Sequence, residues 1–463
     1  MGHLFDRVPW HASDPVVRLR DQVRRDDRDD RLDLSHERYL DETGANISSP
    51  ALRDAVRLLW SRQTNLTDQE AHADTLTKAL FNTATSDLDR LGALPAPSHA
   101  AAVRMVLELL VVQHPETTIW APDRTDTPHL RLARSLGLNV RPYRAIEAQT
   151  GRVALHLMLA DLDSAAPGDV VLLHAPVLEP TGLILKPEAW QALAGLCLDR
   201  GAVPWVMATQ LGLCQGFDKD RVGLQAIRHM MPEAIWTVDW AQTLGMAHES
   251  LGYVAVQTRK EKTARQVQEL LKARAHRTFG TRGLHSAALA AAHLNDSDCL
   301  ADWVIDRRKR RQLLDQKRKL LATALAQVYP AWVAPSLKFG KGLFAQLPLD
   351  ESEAERLRKV HGVHLGSHGR LNLTALSDSE IARFVEALRA IKAGEDLPTP
   401  VDEFAHTAAD EDWSEEIILK FPRAAAQDLL PRLDETAAQQ ALTNAQTPSD
   451  GESWSEDTDA ETA

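Results

Sequence analysis

The chain has 463 residues, of which 44% are hydrophobic, so it is long enough for two or three packed units. Residues 401–463 hold 16 acidic and 3 basic residues, whereas residues 1–400 hold 49 and 50, so the net charge of −12 belongs to a tail. The first residues lack a secretory signal pattern and no apolar run reaches a bilayer span, so we expect a cytoplasmic protein without a membrane partner.

The three cysteines, Cys197, Cys214 and Cys299, are an odd number without C-x-x-C spacing or a nearby histidine cluster. This pattern argues against a disulfide framework and against a zinc site. We therefore expect small buried thiols and no metal.

Between about residues 50 and 300, short β-rich apolar runs alternate with amphipathic stretches, which is typical of βαβ units and predicts an α/β fold with a mostly parallel sheet. The candidate strands cover 117–123, 138–145, 169–176, 202–209, 234–241 and 251–258.

A second domain is predicted to open with a long amphipathic helix over 302–328, where leucines recur at helical spacing among many arginines and lysines. Strand-like runs follow at 342–349 and 369–376. The last helix is expected to begin near Ser377 and Asp378 and to end at Gly394.

These patterns divide the chain into an N-terminal arm with part of the small domain (1–48), a large domain (49–305), a small C-terminal domain (306–395) and an acidic tail (396–463). We expect the tail to be largely disordered. Trp413 and Trp454 lie in two similar acidic pieces, DWSEE and SWSED. These pieces are either docking peptides for a basic groove on a partner protein or chance matches.

Two charge-dense runs, 20–33 and 306–321, raise the question of nucleic-acid binding. Acidic residues interleave the first run and the second has a helical apolar stripe, so we favour solvated helix faces and expect no nucleic-acid partner. The chain has no P-loop, no dinucleotide-binding glycine motif, no H-E-x-x-H and no G-x-S-x-G.

The segment 179–228 begins with EPTG, continues through a tryptophan-bearing helix pattern and an apolar strand, and ends with MATQLGLCQGF and GLQAIR. It resembles the centre of the aspartate and aromatic amino-acid aminotransferases, class I pyridoxal-phosphate enzymes of fold type I, with their N-P-T-G, D-x-A-Y-Q-G-F and G-L-R motifs. LDLSHERYLDETG (32–44) resembles their N-L-G-x-G-x-Y-x-D-E-T-G, and HGVHLGSHGRLNLTAL (361–376) resembles their C-terminal motif. The resemblance covers roughly residues 4–394 and implies a seven-stranded sheet between helices with a smaller α+β domain.

The family's cofactor lysine lies in S-x-S-K-x-x-G-L, and DWAQTLGM (239–246) falls on this motif with Gln242 at the lysine position. The family's lysine holds the cofactor as an imine and then acts as the general base. A carboxamide is neither nucleophilic nor basic near neutral pH. The resemblance therefore implies that the chain lacks the catalytic residue, and we expect no bound cofactor.

Other cofactor positions implied by the resemblance have changed as well. They are Ala100 in the phosphate-binding helix start, Asp126 at the ring-stacking tryptophan, Glu179 and Gln210 at two groups that bind the phenolic oxygen, Met207 at the aspartate beside the pyridinium nitrogen, Asp239 at the serine of S-x-S-K, and Ser250 at the phosphate arginine. An aspartate beside a phosphate dianion opposes binding by about 1–4 kcal/mol.

Arg370 matches the arginine that binds the substrate α-carboxylate, and His129 and His174 match histidines that support the ring. A structural ion pair would explain the retention of Arg370 equally well. The arginine that a partner subunit supplies falls near His276 or Arg277, so dicarboxylate specificity is not assigned.

Lys338 and Lys341 match a loop near the substrate mouth. An imine formed there is disfavoured, because the aldehyde must reach the amine while the ring keeps its contacts, and those contacts are missing.

We interpret the chain as a homodimeric, aminotransferase-like pseudoenzyme that acts as a noncatalytic interaction or regulatory protein. Two alternatives stay open. One is an active pyridoxal-phosphate-dependent transferase of aspartate or aromatic amino acids with 2-oxoglutarate, and the other is a sensor that binds a carboxylate ligand at Arg370.

Overall fold

A computed structural model describes residues 14–61, 68–82, 88–123, 125, 128–280, 285–328, 330–331 and 333–393. The helices of these residues are α1 (Pro15–Arg25), α2 (Ala51–Ser61), α3 (Gln69–Phe81), α4 (His99–Gln113), α5 (Pro128–Ser135), α6 (Leu155–Leu162), α7 (Pro187–Arg200), α8 (Phe217–Asp220), α9 (Val222–Met230), α10 (Trp240–Leu244), α11 (Glu261–Phe279), α12 (His285–Leu294), α13 (Ser297–Leu325), α14 (Val333–Phe339), α15 (Glu351–His361) and α16 (Ile381–Ala393). The strands are β1 (Leu32–Asp33), β2 (Leu91–Ala96), β3 (Thr118–Pro122), β4 (Asn139–Tyr143), β5 (Val170–Ala175), β6 (Val203–Ala208), β7 (Ala234–Asp239), β8 (Gly252–Gln257), β9 (Phe344–Gln346), β10 (Val363–His364) and β11 (Arg370–Asn372).

A seven-stranded sheet forms the centre of the fold, with the strand order β2-β8-β7-β6-β5-β3-β4. β8 runs antiparallel to both of its neighbours, and the other neighbouring strands pair in parallel. The predicted α/β class with a mostly parallel seven-stranded sheet is confirmed, and all six candidate strands of this sheet are present. The pattern did not reveal β2, because its LGALPA sequence contains Gly92 and Pro95, which are weak strand formers. Proline is tolerated there because β2 is an edge strand.

Both faces of the sheet are buried. Because side chains alternate along a strand, Trp205 and Met207 of β6 join the core under α4, whereas Val206 and Ala208 join the core that contains residues of α7 and α12. This burial explains why the strands are almost continuously apolar.

A further core, outside the large sheet and called the second core below, joins the N-terminal segment to residues 314–391. Leu32 and Leu34 pack with residues of α13, α15 and α16, and their backbone N–H groups donate to the carbonyls of Gly362 and His364 at 2.8 and 2.9 Å. Short strand pairs, β1 with β10 and β9 with β11, complete this region. The exact boundaries at residues 48, 305 and 395 stay a prediction.

The long helix differs from its prediction in three respects. It ends at Leu325, three residues before the expected end at Val328. It begins at Ser297, five residues earlier than expected, because Asp296 caps it by accepting bonds from the N–H groups of Asp298 and Cys299. The expectation of a solvated basic face was wrong for three arginines, which are at most 6% exposed. These are Arg307, Arg310 and Arg318.

Two other boundaries differ as well. The candidate strand 234–241 ends at Asp239, since Trp240 already begins α10. The last helix begins at Ile381 rather than near Ser377, whose side chain bonds Glu380 before the helix starts. Gly394 and the tail with Trp413 and Trp454 lie outside the described residues.

The three cysteines are free and buried, as predicted. Within the described part of the chain, no helix is long and apolar enough to cross a membrane. Over the same residues, histidine, cysteine, aspartate and glutamate form no group of three that could hold a metal ion.

Candidate functional site

The candidate site lies at the carboxyl ends of three neighbouring parallel strands, β5, β6 and β7. His174 stands near the end of β5, Gln210 follows β6, and Gln242 follows β7. Carboxyl ends of parallel strands meet at one edge of a sheet, where open α/β folds bind their ligands. The topology therefore brings residues that are far apart in the sequence to one edge of the sheet.

Gln242 lies on α10, a helix of five residues that starts directly after β7. The Asp239 side chain caps this helix by accepting a hydrogen bond from the Gln242 backbone N–H at 2.8 Å. Gly245 ends it with a left-handed φ of 75°, and Arg307 donates to the Gln242 carbonyl at 3.5 Å. Gln242 is only 7% exposed, so its carboxamide is buried at this edge of the sheet.

Arg38, which the sequence analysis did not single out, reaches this helix from the N-terminal part of the chain. Its Nη1 lies 3.2 Å from Asp239 Oδ2 and donates to Gln242 Oε1 at 3.4 Å. Burial raises the pKa of Asp239, and the Arg38 charge opposes that rise. The guanidinium therefore favours the ionised form of Asp239, against the effect of burial.

Strand β11 fixes the backbone that carries Arg38. The fully buried Asn372 donates from Nδ2 to the carbonyls of His36 and Arg38, at 3.0 and 2.7 Å. The side chains of Glu37 and Arg38 consequently start from a fixed position.

A signal for this arrangement was present in the sequence. In the resemblance to N-L-G-x-G-x-Y, Ser35 falls on the first glycine and Glu37 on the second, with Tyr39 at the tyrosine. A charged side chain thus stands where the family motif has none.

Glu179 and Gln210, which the resemblance assigns to the phenolic oxygen, bond each other. Glu179 Oε1 accepts from Gln210 Nε2 and from the hydroxyl of Thr209. The other end of the Gln210 carboxamide accepts from the Leu343 backbone N–H at 2.6 Å. Both ends of Gln210 are therefore engaged within the protein, and its amide also ties the sheet edge to the second core.

Three histidines lie on the α4 side of the sheet edge. His99 and His129 begin α4 and α5, and their rings make an edge contact with centroids 5.4 Å apart. Burial lowers the pKa of His99 to about 4 and that of His129 to about 3, and it also lowers the pKa of His174. All three are neutral near pH 7 and add no positive charge to the cleft. Among the described residues, Nε2 of His99 and Nδ1 of His174 have no hydrogen-bond partner.

The remaining altered positions offer little to an anion. Met207 is 4% exposed and pairs in register with His174 and Thr237. Ala100 is exposed in the first turn of α4, and Ser250 is exposed before β8. Asp126 lies outside the described residues.

Arg370 begins β11 and lies over the Phe344 ring, 4.8 Å from Cζ to the ring centroid. Its Nη2 is 3.9 Å from Glu37 Oε1, and the other Glu37 oxygen accepts from Arg20 at 3.2 Å. The Arg370 side chain is 26% exposed, so it combines a weak internal ion pair with access to solvent.

The other cations named above differ in their surroundings. Lys341 Nζ lies 2.7 Å from Asp315, whereas Lys338 is exposed near the Phe339 ring. His276 and Arg277 are exposed near the end of α11.

Comparison with known proteins gives one consistent family. The model of the family described as aminotransferase class I and II matches residues 29–388. The tyrosine aminotransferase of Rhizobium meliloti is 27% identical over 387 residues, covering 82% of this chain and 98% of that protein. The aromatic-amino-acid aminotransferase of Pseudomonas aeruginosa is 28% identical over 400 residues, covering 85% and 100%.

Solved structures share the fold at lower identity. The cytoplasmic aspartate aminotransferase of Saccharomyces cerevisiae superposes with a TM-score of 0.79 at 18% identity, covering 85% of this chain and 99% of that one. An aromatic-amino-acid aminotransferase from Burkholderia pseudomallei, covalently bound to pyridoxal phosphate, gives 0.77 at 22% identity, covering 84% and 100%.

Proposed function

The chain belongs to the class I and II aminotransferase family, and from that premise we propose that it is a noncatalytic member, an interaction or regulatory pseudoenzyme. The observation that carries the proposal is the buried carboxamide of Gln242 at the position of the family's cofactor lysine, bonded by Arg38. An amide forms no imine with an aldehyde, and it removes the base that moves a proton between substrate and cofactor.

The residues around Gln242 do not fit pyridoxal phosphate. Asp239 occupies the position of the motif's serine, and its side chain pairs with the Arg38 guanidinium. Met207 has no charge with which to stabilise a protonated ring nitrogen, and Gln210 is bonded at both ends within the protein. Several positions around Gln242 have therefore changed, and not Gln242 alone. These contacts support the loss of pyridoxal-phosphate binding as a whole.

The family also implies a homodimer, and we include that state in the proposal. The described surface supports it with large exposed apolar side chains on two helices that contact each other. Trp60 on α2 is 72% exposed, and Val304 and Ile305 on α13 are each 53% exposed. Apolar side chains of this size concentrate at protein–protein interfaces. A sedimentation measurement that finds a monomer at micromolar concentration would remove this part of the proposal.

The test of the central claim is direct. Purified protein is incubated with pyridoxal phosphate, reduced with borohydride, digested and analysed by mass spectrometry, with the aspartate aminotransferase of Escherichia coli as positive control. We expect no adduct and no turnover of aspartate or aromatic amino acids with 2-oxoglutarate. An adduct on Lys338 or Lys341, or turnover above the blank, would favour the active transferase instead.

A carboxylate sensor is the second candidate, and the partly exposed guanidinium of Arg370 over Phe344 favours it. Thermal shifts against a panel of carboxylates, repeated with Arg370→Ala, test it. A shift that the variant loses would establish a ligand at this position.

The acidic tail is the sequence feature that would engage a partner protein. Pull-down with the full chain, compared with Trp413→Ala and Trp454→Ala variants, tests that role. Partners retained by both variants would exclude the two tryptophans as docking groups.

A further inference from the structure

Glu37 and Arg38 are adjacent in the chain, but their side chains face different parts of the candidate site. Glu37 faces Arg370, and Arg38 faces Asp239 and Gln242, which are called the inner pole below. The Glu37 carboxylate lies 3.9 Å from Arg370, the arginine that the resemblance assigns to an anionic ligand. The Arg38 guanidinium lies 3.2 Å from Asp239 and donates to Gln242 at 3.4 Å. The chain thus places an anionic side chain beside Arg370 and a cationic side chain beside the inner pole.

The placement is built into the backbone. Asn372 binds the carbonyls on both sides of Glu37 and stands two residues after Arg370 on the same strand. Leu40, two residues after Arg38, donates its N–H to the Thr374 hydroxyl at 3.0 Å. Strand β11 and the turn that follows it therefore fix both the segment and Arg370, which Glu37 faces.

The inner pole carries an acidic side chain, Asp239, whereas a phosphate-binding site presents positive charge. The Asp239 side chain is only 15% exposed, and the nearby imidazoles of His99 and His174 are neutral. A buried carboxylate requires a paired cation, because an uncompensated buried charge is strongly unfavourable. Among the described residues, the Arg38 guanidinium supplies that cation and also donates to Gln242 Oε1.

We propose that Asp239 and Gln242 form a cation site that the Arg38 guanidinium fills as a tethered occupant, and that the ligand class of this pole is a small guanidinium or amine rather than a phosphate. The inference rests on the proposed loss of cofactor binding. It adds that a site for a positively charged ligand has taken the place of a site for a negatively charged phosphate. A ligand of this class enters by displacing Arg38, and a ligand that also carries a carboxylate would displace Glu37 from Arg370.

The experiment is a chemical rescue measured by thermal denaturation of the full chain. Arg38→Ala is expected to lower the melting temperature, and methylguanidinium at millimolar concentration is expected to raise it again by about 2 °C or more. The same salt should shift the wild type less than the variant, because in the wild type it has to compete with the tethered Arg38 guanidinium. Sodium chloride at equal ionic strength and inorganic phosphate should not rescue the variant.

Three matched variants complete the design. Arg38→Met keeps the aliphatic stem and should also be rescued, so the test survives if the alanine variant fails to fold. Arg38→Lys keeps the charge and should need no rescue. Arg20→Ala removes an arginine that bonds Glu37 but does not pair with Asp239 in the described structure. The melting temperature of this variant should not respond to methylguanidinium.

The double variant Arg38→Met/Asp239→Asn should lose the response to methylguanidinium. Rescue by phosphate instead of methylguanidinium, an equal shift of the wild type, or no rescue of any Arg38 variant would overturn the inference. None of these outcomes involves a pyridoxal adduct, so the proposed loss of catalysis stands or falls on its own measurement.

Discussion

The Asp239 side chain serves two partners at once. One carboxylate oxygen, Oδ1, accepts from the Gln242 backbone N–H at 2.8 Å and caps α10, while the other, Oδ2, lies 3.2 Å from Arg38 Nη1. The helix that presents Gln242 and the ion pair across it therefore depend on the same residue. Restoring a lysine at 242 would place a second cation beside a carboxylate that is already paired.

We predict that Gln242→Lys does not restore transamination. The new amine would still lack a carboxylate at Met207 and an arginine at Ser250, and contacts of this kind are each worth about 10²–10³-fold in rate. Turnover of aspartate with 2-oxoglutarate is the measurement, with visible absorbance as the readout for a protein-bound imine. Activity comparable with that of a family enzyme would show that the remaining substitutions are harmless.

A second prediction concerns Gly245, which ends α10 with a φ of 75°. Alanine there would adopt a left-handed conformation and would also overlap the buried Arg307 guanidinium. We expect Gly245→Ala to lower the free energy of unfolding by about 3 kcal/mol or more. Gly137→Ala is the control, since Gly137 has a φ of 84° with nothing within 4 Å of the added carbon, and it should cost only about 1–2 kcal/mol. Equal urea midpoints for the two variants would contradict the role of Arg307.

A third prediction concerns the contacts of Asp26 and Arg28, which join the N-terminal arm to the second core. The Asp26 carboxylate accepts from Arg28 at 2.7 and 2.8 Å and lies 2.7 Å from Nε2 of the buried His364. Arg28 also donates to the carbonyls of Arg358 and Lys359, at the end of α15. Because Arg28 is partly exposed, we expect Asp26→Asn to cost about 2–4 kcal/mol.

The pH dependence of that loss follows from the Asp26 pKa, which the hydrogen bond from Arg28 holds well below its usual value. A carboxyl with a lowered pKa in the folded state stabilises the fold above its ordinary pKa of 3.8 and loses this contribution as the pH falls further. The difference between wild type and variant, measured by urea denaturation, should therefore shrink in acid. The exposed neighbour gives the control, Asp27→Asn, which should change stability by less than about 0.5 kcal/mol.

A fourth prediction concerns His293, which is fully buried beside Trp303 with a ring separation of 6.3 Å. Both of its ring nitrogens lack a hydrogen-bond partner within the described residues, and burial lowers its pKa from 6.5 to about 4. A histidine with a lowered pKa leaves stability intact above about pH 6.5 and weakens the fold as the pH falls towards 4, because the unfolded chain binds the proton more tightly.

His293→Leu should match or exceed the wild type at pH 7 and should remove up to about 3 kcal/mol of the acid-induced loss between pH 6.5 and 4. Thermal denaturation at pH 7 and pH 5 tests this expectation. His276→Gln, at an exposed histidine of α11, should keep the wild-type pH profile. A larger acid loss in His293→Leu than in the wild type would refute the assignment.

The alternation of short apolar runs with amphipathic stretches was sufficient to predict six of the seven strands of the large sheet, because buried parallel strands are nearly continuous in hydrophobicity. The same reasoning missed β2, in which Gly92 and Pro95 are acceptable only because the strand lies at an edge and α11 packs against its glycine. It also placed Arg307 and Arg318 in solvent, whereas Arg307 pairs with Asp306 and Nη2 of Arg318 donates to backbone carbonyls. Buried arginines depend on partners from other elements, which helical periodicity does not reveal.

The sequence by itself determined that position 242 carries a carboxamide, and this fact is independent of folding because reactivity towards an aldehyde belongs to the side chain alone. Only the tertiary structure decided that Arg38 faces Asp239 and Gln242, since the paired charges are 201 residues apart and meet through the packing of β11 against the N-terminal segment. A short separation and partial exclusion of water both strengthen an ion pair, and both are properties of the folded chain.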